Sequence, residues 1–214
     1  MDIMLLDNLK KGFDAWLHPG AGTAQIMTLK DAFKMYYRFT VIPAVAAIVI
    51  SFAVVFTFGQ TIVSAAGVPE TFAGFWAAAI IAIYTAAIIW ILEPLSILVE
   101  GGVYHIVGKL FGKFTGTYAN TVTAGVYATF GVIGLLWLYA IPVVGTAALI
   151  VAGIWSIWVL ISGLSNQHRI SKVDAFVVWI VGTAIFGILV LAVVFATASV
   201  SSVAINTAIT ANAS

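Results

Sequence analysis

The chain of 214 residues contains 63% hydrophobic and only 8% charged residues, and its mean hydropathy is +1.14. These values lie far outside the range of soluble globular domains and indicate an integral membrane protein with one compact, all-α membrane domain. A formal net charge of +1 gives no reason to expect nucleic acid as a partner. The chain has no cysteine, which excludes disulfides, thiol nucleophiles and thiolate metal sites.

Residues 1–38 precede the first membrane span and are predicted to be a cytoplasmic or interfacial segment. Leu6, Phe13 and Trp16 recur at helical spacing opposite charged residues, which is typical of an amphipathic helix. Such a helix can lie in the membrane interface or pack on the membrane domain from the cytoplasm, and both alternatives stay open. A capping-box pattern at 28–31 then begins a helix with a basic stripe directed at water or lipid headgroups: Lys30, Lys34 and Arg38.

Five apolar segments within residues 39–197 are each long enough to cross about 30 Å of hydrocarbon. Pro142 and Gly145 divide one long uncharged stretch, because the proline cannot continue a helix and the glycine suits a tight turn. The predicted spans are therefore residues 39–59, 72–92, 121–140, 143–164 and 175–197. The uncharged residues 198–214 follow as an external tail, which we expect to be flexible unless a partner covers it.

The positions of the basic residues predict how the spans cross the membrane. All nine Lys and Arg residues lie before the first span, between the second and third, or between the fourth and fifth. The connections on the opposite side contain none. Since basic loops are retained in the cytoplasm, the N-terminus is predicted inside and the C-terminus outside a cell membrane that the chain crosses five times.

Two glutamates and a histidine interrupt the uncharged sequence at the end of the second span: Glu93, Glu100 and His105. A charge at the bilayer centre costs about 2.5–3.5 kcal/mol, but about 21 residues of span precede Glu93 and already cover the hydrocarbon. The favoured interpretation is therefore a helix that leaves the membrane here and bends along the cytoplasmic interface. If the helix instead continued through Pro94, Glu93 and Glu100 would share one face, and an ion or proton site is the alternative.

Four stretches carry a family resemblance, the first of them more loosely: MTLKDAFKMYYRFTVIP (27–43), HIVGKLFGKFTGTYANTVTAGVYA (105–128), IPVVG (141–145) and GIWSIWVLISGLSNQHRISK (153–172). In order and spacing they resemble the Yip family of multi-spanning membrane proteins, named for interaction with Ypt/Rab GTPases, and particularly its prokaryotic members. The resemblance implies a five-span domain with a cytoplasmic N-terminus and a non-enzymatic membrane role. The Asp-Leu-Tyr-Gly-Pro motif of eukaryotic members is missing, so the resemblance does not extend to GTPase binding.

Basic and polar side chains converge on the predicted cytoplasmic face, in the loops after the second and fourth spans. We predict a docking surface there for a lipid headgroup or a protein partner, formed by Lys109, Lys113, His168, Arg169 and Lys172. The alternative is that these residues only set the topology. Their neighbours Asn166 and Gln167 favour docking, because they add hydrogen-bonding groups without affecting the topology.

The leading hypothesis is a non-enzymatic membrane scaffold or adaptor whose partners are membrane lipids, further copies of the chain or a larger membrane complex. The chief alternative is a small transporter or channel that uses Glu93, Glu100 and His105, and another is an accessory subunit of a membrane complex. No metal-ligand spacing links the three histidines, so no cofactor is expected.

Single cysteines test the predicted topology, since the chain has none of its own. We expect Ala66→Cys and Ile205→Cys to react with a membrane-impermeant maleimide added outside intact cells, because the connections on that side lack basic residues. Lys113→Cys and Arg169→Cys should react only after the cells are opened. Labelling of position 113 or 169 from outside, or of 66 or 205 only from inside, would contradict the five-span topology.

Overall fold

The computed structural model describes the backbone of residues 3–64, 70–141 and 143–212, and the side chains of residues 10–57, 75–138, 141, 143–195 and 197. Within these residues the chain is helical and contains no strand. Its α-helices are α1 (Ile3–Leu17), α2 (Pro19–Gly22), α3 (Leu29–Ser64), α4 (Glu70–Ala87), α5 (Glu93–Leu110), α6 (Tyr118–Leu135), α7 (Val144–His168) and α8 (Lys172–Asn212). A π-helical turn at Ile88–Leu92 joins α4 to α5, and a 3₁₀ turn at Leu136–Ala140 follows α6.

Five of these helical stretches are long and apolar enough to cross a membrane: Leu29–Thr57, Phe75–Leu110, Tyr118–Leu138, Val144–His168 and Lys172–Phe195. Their outward faces carry large apolar side chains, such as Ile83, which is 69% exposed, and Leu110, which is 79% exposed. Apolar surface of this extent is stable against lipid rather than water. The predicted all-α, five-span architecture is therefore confirmed.

Helix α6 lies at the centre of the bundle and packs against α1, α3, α5 and α7. Its most apolar window is 56% buried, whereas the corresponding windows of the other spans are at most 22% buried. Small residues bring α7 close to it, since a Cβ added to Gly163 would lie 2.9 Å from the Cβ of Ala124. Helices α6 and α7 form the hairpin that the sequence predicts, although Pro142 itself lies outside the described residues.

Helices α4 and α5 form one continuous helical stretch through Pro94. Proline lacks the N–H that would bond to the Trp90 carbonyl, and its ring crowds the preceding turn. Two tyrosines of α3 donate hydrogen bonds to carbonyls of the π-helical turn just before it: Tyr36 to Ile89 at 2.5 Å and Tyr37 to Trp90 at 3.3 Å. The described backbone is therefore helical from α4 through α5, and the predicted bend along the membrane interface stays a prediction.

Helix α1 packs its aromatic face on the bundle, against α3, α6 and α7. The Trp16 ring lies over Gly131 of α6, where an added Cβ would come within 1.9 Å of the ring. The backbone carbonyl of Trp16 accepts a hydrogen bond of 2.7 Å from Trp155 Nε1. The helix thus contacts the membrane domain through Trp16, while Phe13 and Leu17 of its apolar face stay exposed, so its position relative to the membrane interface stays open.

The sequence divides the chain into residues 1–38, 39–197 and 198–214, but neither boundary lies between two helices. Helix α3 begins at Leu29, so the boundary between residues 38 and 39 lies inside it. Helix α8 runs as far as Asn212 and includes the boundary between residues 197 and 198. The second half of the N-terminal segment therefore continues into the first span, and the backbone of the tail continues the last span.

Replacement of Gly131 by alanine tests the packing of α1. Because the new methyl group would overlap the Trp16 ring, we expect Gly131→Ala to lower the free energy of unfolding by about 1–3 kcal/mol. Gly153→Ala is the matched control, since Gly153 lies within α7 and no atom lies within 4 Å of the added Cβ. Thermal unfolding in detergent, followed by tryptophan fluorescence, measures both variants. Equal unfolding temperatures would show that the bundle does not depend on this contact.

Candidate functional site

A network of polar side chains joins the N-terminal segment to the start of α6 and the end of α7. Gln167 Nε2 donates to the carbonyls of Thr23 and Gln25, at 2.7 and 2.8 Å. The side-chain oxygen of Gln167 accepts a bond of 3.2 Å from Asn120 Nδ2. Asn166 Nδ2 donates to Thr23 Oγ1 at 2.8 Å, so both amides that were expected to face a partner bond within the protein. We call these five residues the polar network.

Two helix termini hold the polar network in place. Helix α6 begins with a capping box, in which Asn120 Oδ1 accepts hydrogen bonds from Thr117 N at 3.1 Å and Thr117 Oγ1 at 2.6 Å. Helix α7 ends at His168 and is followed by Arg169, whose φ of 56° is the left-handed conformation that commonly closes a helix. The local sequence thus places Asn120 and Gln167 at neighbouring ends of antiparallel helices.

A second chain of hydrogen bonds joins two of the predicted site residues, His105 and His168. Thr121 Oγ1 lies 3.0 Å from His105 Nδ1 and 2.9 Å from His168 Nε2, so this hydroxyl bridges the two rings. His168 is fully buried and stacks on Phe114, with ring centroids 3.7 Å apart. His105 is half-buried. His168 therefore lies behind the predicted docking surface and not on it.

The other four residues of the predicted docking surface are exposed at one end of the bundle, which we call the basic end: Lys109, Lys113, Arg169 and Lys172. Lys113 Nζ forms an ion pair of 2.9 Å with Asp174 Oδ1, which links the loop after α5 to the start of α8. Lys172 Nζ lies 4.6 Å from the centre of the Trp158 ring, in a cation–π contact. The structure thus places these four cations at one end of the bundle, and their use as a docking surface stays a prediction.

Glu93 and Glu100 line two cavities beside α6, the larger of which is open to the outer surface of the bundle. Because the helix continues through Pro94, both half-buried side chains turn towards α6 and line the same two cavities, of about 70 and 240 Å³. The Tyr104 hydroxyl donates a hydrogen bond to Glu100 and lies 3.0 Å from Thr183 Oγ1 of α8. Among the described residues, no group of three His, Asp or Glu side chains could hold a metal ion. A pair of carboxylates beside shared cavities is compatible with the alternative of an ion or proton site, which stays a prediction.

A larger groove, of about 340 Å³, lies between the N-terminal segment and α3. Its lining includes three basic side chains and one acidic side chain: Lys11, Lys34, Arg38 and Asp31. Helical spacing predicts Lys34 and Arg38 on one face of α3. Lys11 joins them only because α1 packs on the bundle, so no local pattern in the sequence indicates its position.

The fold defines a multi-pass helical membrane protein whose polar groups gather at one end and along the α5–α6 contact. The chain matches the Yip1 domain family over residues 13–201, and it belongs to that family. The match confirms the resemblance that the four stretches of sequence carry, and it extends from α1 into α8. No curated protein matches the chain, and no solved structure matches it.

Proposed function

We propose that this Yip1 domain protein is a non-enzymatic scaffold or adaptor of the cell membrane, which binds a lipid or protein partner at its basic end. One observation carries the proposal: segments joined by the polar network and by the Lys113–Asp174 ion pair present four exposed cations together. Because these contacts hold the backbone segments that carry the cations, binding an anionic group requires less ordering of the backbone. The distribution of Lys and Arg supports a cytoplasmic location for this end and for the N-terminus.

Lys109 and Arg169 are the residues of the basic end best suited to an incoming anion. Both are exposed, and neither forms an ion pair with any side chain that the structure describes. The planar guanidinium of Arg169 can bind a carboxylate or phosphate group through two parallel hydrogen bonds. Lys113 and Lys172 already contact Asp174 and an aromatic ring, so they mainly add positive charge around the site.

Single neutralising substitutions test the basic end. We expect Lys109→Gln and Arg169→Gln each to lower recovery of a crosslinked partner or anionic lipid about fivefold, because a cation near an acidic surface contributes about 1 kcal/mol. Lys113→Gln should also weaken the recovery, because it removes one positive charge and leaves the Asp174 carboxylate without its ion pair. Lys30→Gln, at the start of α3, is the control. If crosslinking mass spectrometry and lipid co-purification find no change in any of the three, the docking proposal has no support.

A second candidate function is the transport of protons or cations, and the position of Glu93 and Glu100 favours it. Both carboxylates line cavities between α5, α6 and α7, in a region where an isolated charge is costly. Thr121 also lines the smaller cavity and lies within hydrogen-bonding distance of His105. These side chains form a series of ionisable and hydroxyl groups from the half-buried His105 into the bundle.

Reconstitution in liposomes separates the two functions. Under the scaffold proposal we expect no proton or cation flux that depends on the carboxylates, and Glu93→Gln and Glu100→Gln should still insert and fold. A pH-sensitive dye inside the liposomes measures the proton flux under an imposed gradient. The transport function would replace the scaffold if the unchanged protein moves protons or cations, Glu93→Gln abolishes the flux, and the control Asp14→Asn keeps it.

A further inference from the structure

The groove between the N-terminal segment and α3 carries an excess of positive charge. Among the residues whose side chains the structure describes, its lining includes Lys11, Lys34 and Arg38 and one carboxylate, that of Asp31. Asp31 Oδ2 already accepts a hydrogen bond of 2.7 Å from Thr28 Oγ1. Lys34 and Arg38 form no ion pair with any described side chain. An anionic group would therefore be attracted to this groove.

Contacts on both sides hold the walls of the groove in place. The polar network fixes the linker between α2 and α3, because Gln167 donates to the carbonyls of Thr23 and Gln25. Helix α1, which carries Lys11, is held against α6 and α7 by the contacts of Trp16. A site formed before its ligand arrives loses little conformational entropy on binding.

The groove reaches the point where α3 becomes apolar. Arg38 is the last charged residue of α3, and the exposed side chains that follow it are Val41, Ile42, Val45 and Val49. Apolar residues also line the groove itself, among them Ile26, Met27 and Met35. A molecule bound here can place an anionic group against the cations and a hydrocarbon part along α3. This combination is found in a phospholipid.

We propose that the groove binds the headgroup of an anionic phospholipid of the cytoplasmic leaflet. Lys34 and Arg38 hold the phosphate, and Lys11 lines the groove from α1. A guanidinium such as that of Arg38 can donate two hydrogen bonds to one phosphate. The site is separate from the basic end and rests on the proposed function only in that both face the cytoplasm.

A photo-crosslinkable phosphatidylglycerol in liposomes, followed by mass-spectrometric mapping of labelled peptides, locates the lipid on the full-length chain. We expect labelling within residues 23–38, with Lys34→Gln and Arg38→Gln each weakening it about fivefold. Lys10→Gln and Lys30→Gln are matched controls, because they remove the same charge from exposed residues that do not line the groove. Both controls should leave the labelling of residues 23–38 nearly unchanged.

Asp31→Asn is expected to increase the labelling, a result that a folding defect would not produce. The substitution removes the negative charge of the groove and leaves an oxygen to accept the Thr28 hydrogen bond, so labelling of residues 23–38 should become stronger. Labelling that stays the same or weakens in Asp31→Asn, while thermal unfolding is unchanged, would overturn the inference.

Three other results would also overturn it. Equal losses in the groove variants and the controls would show only general attraction between charges. Equal labelling by a photo-crosslinkable phosphatidylcholine would show that the negative charge of the lipid is not recognised. Inorganic phosphate that removes the labelling at millimolar concentration would identify a free anion as the ligand. Lys109→Gln and Arg169→Gln should keep the labelling of residues 23–38, so a failure of this inference can be told apart from a failure of the basic end.

Discussion

The side chain of Gln167 joins three segments that are far apart in the sequence, and the rest of the structure depends on this junction. It donates to two carbonyls of the linker before α3 and accepts from Asn120 at the start of α6. Buried polar groups need such partners, since each unpaired group costs about 1–3 kcal/mol. One amide therefore fixes both the linker that forms the groove and the helix end that presents Arg169.

The same junction explains why the N-terminal segment belongs to the membrane domain. The Yip1 match begins at residue 13, inside α1, and the aromatic face of that helix packs on the central helix of the bundle. An amphipathic helix that only rested on the lipid surface would not need Gly131 opposite Trp16, or the indole of Trp155 beneath its backbone. The basic groove exists because this helix is docked, since Lys11 contributes to it from α1.

Features that depend on a few turns of sequence could be predicted, and features that depend on distant contacts could not. Hydropathy and charge patterns depend on nearby residues, so the five spans, the hairpin and the stripe of Lys34 and Arg38 could be predicted from the sequence. The hydrogen bonds from the α3 tyrosines to the turn before Pro94 join residues far apart in the sequence, and no pattern around the proline reveals them. The hydrogen-bond partners of Asn166 and Gln167 could not be predicted either. The sequence shows that these amides need partners, but not that the partners lie in the same chain.

The helices of the bundle differ in length, which matters in a lipid layer of finite thickness. Helix α3 has 36 residues and α7 has 25, which correspond to about 54 and 38 Å. A bilayer whose hydrocarbon matches the α6–α7 hairpin is thinner than α3, so α3 has to lean away from the membrane normal or extend past the lipid tails. Because Lys34 and Arg38 lie on α3, its inclination sets how deep they sit among the headgroups. The depth of these two cations among the headgroups therefore differs between thick and thin membranes.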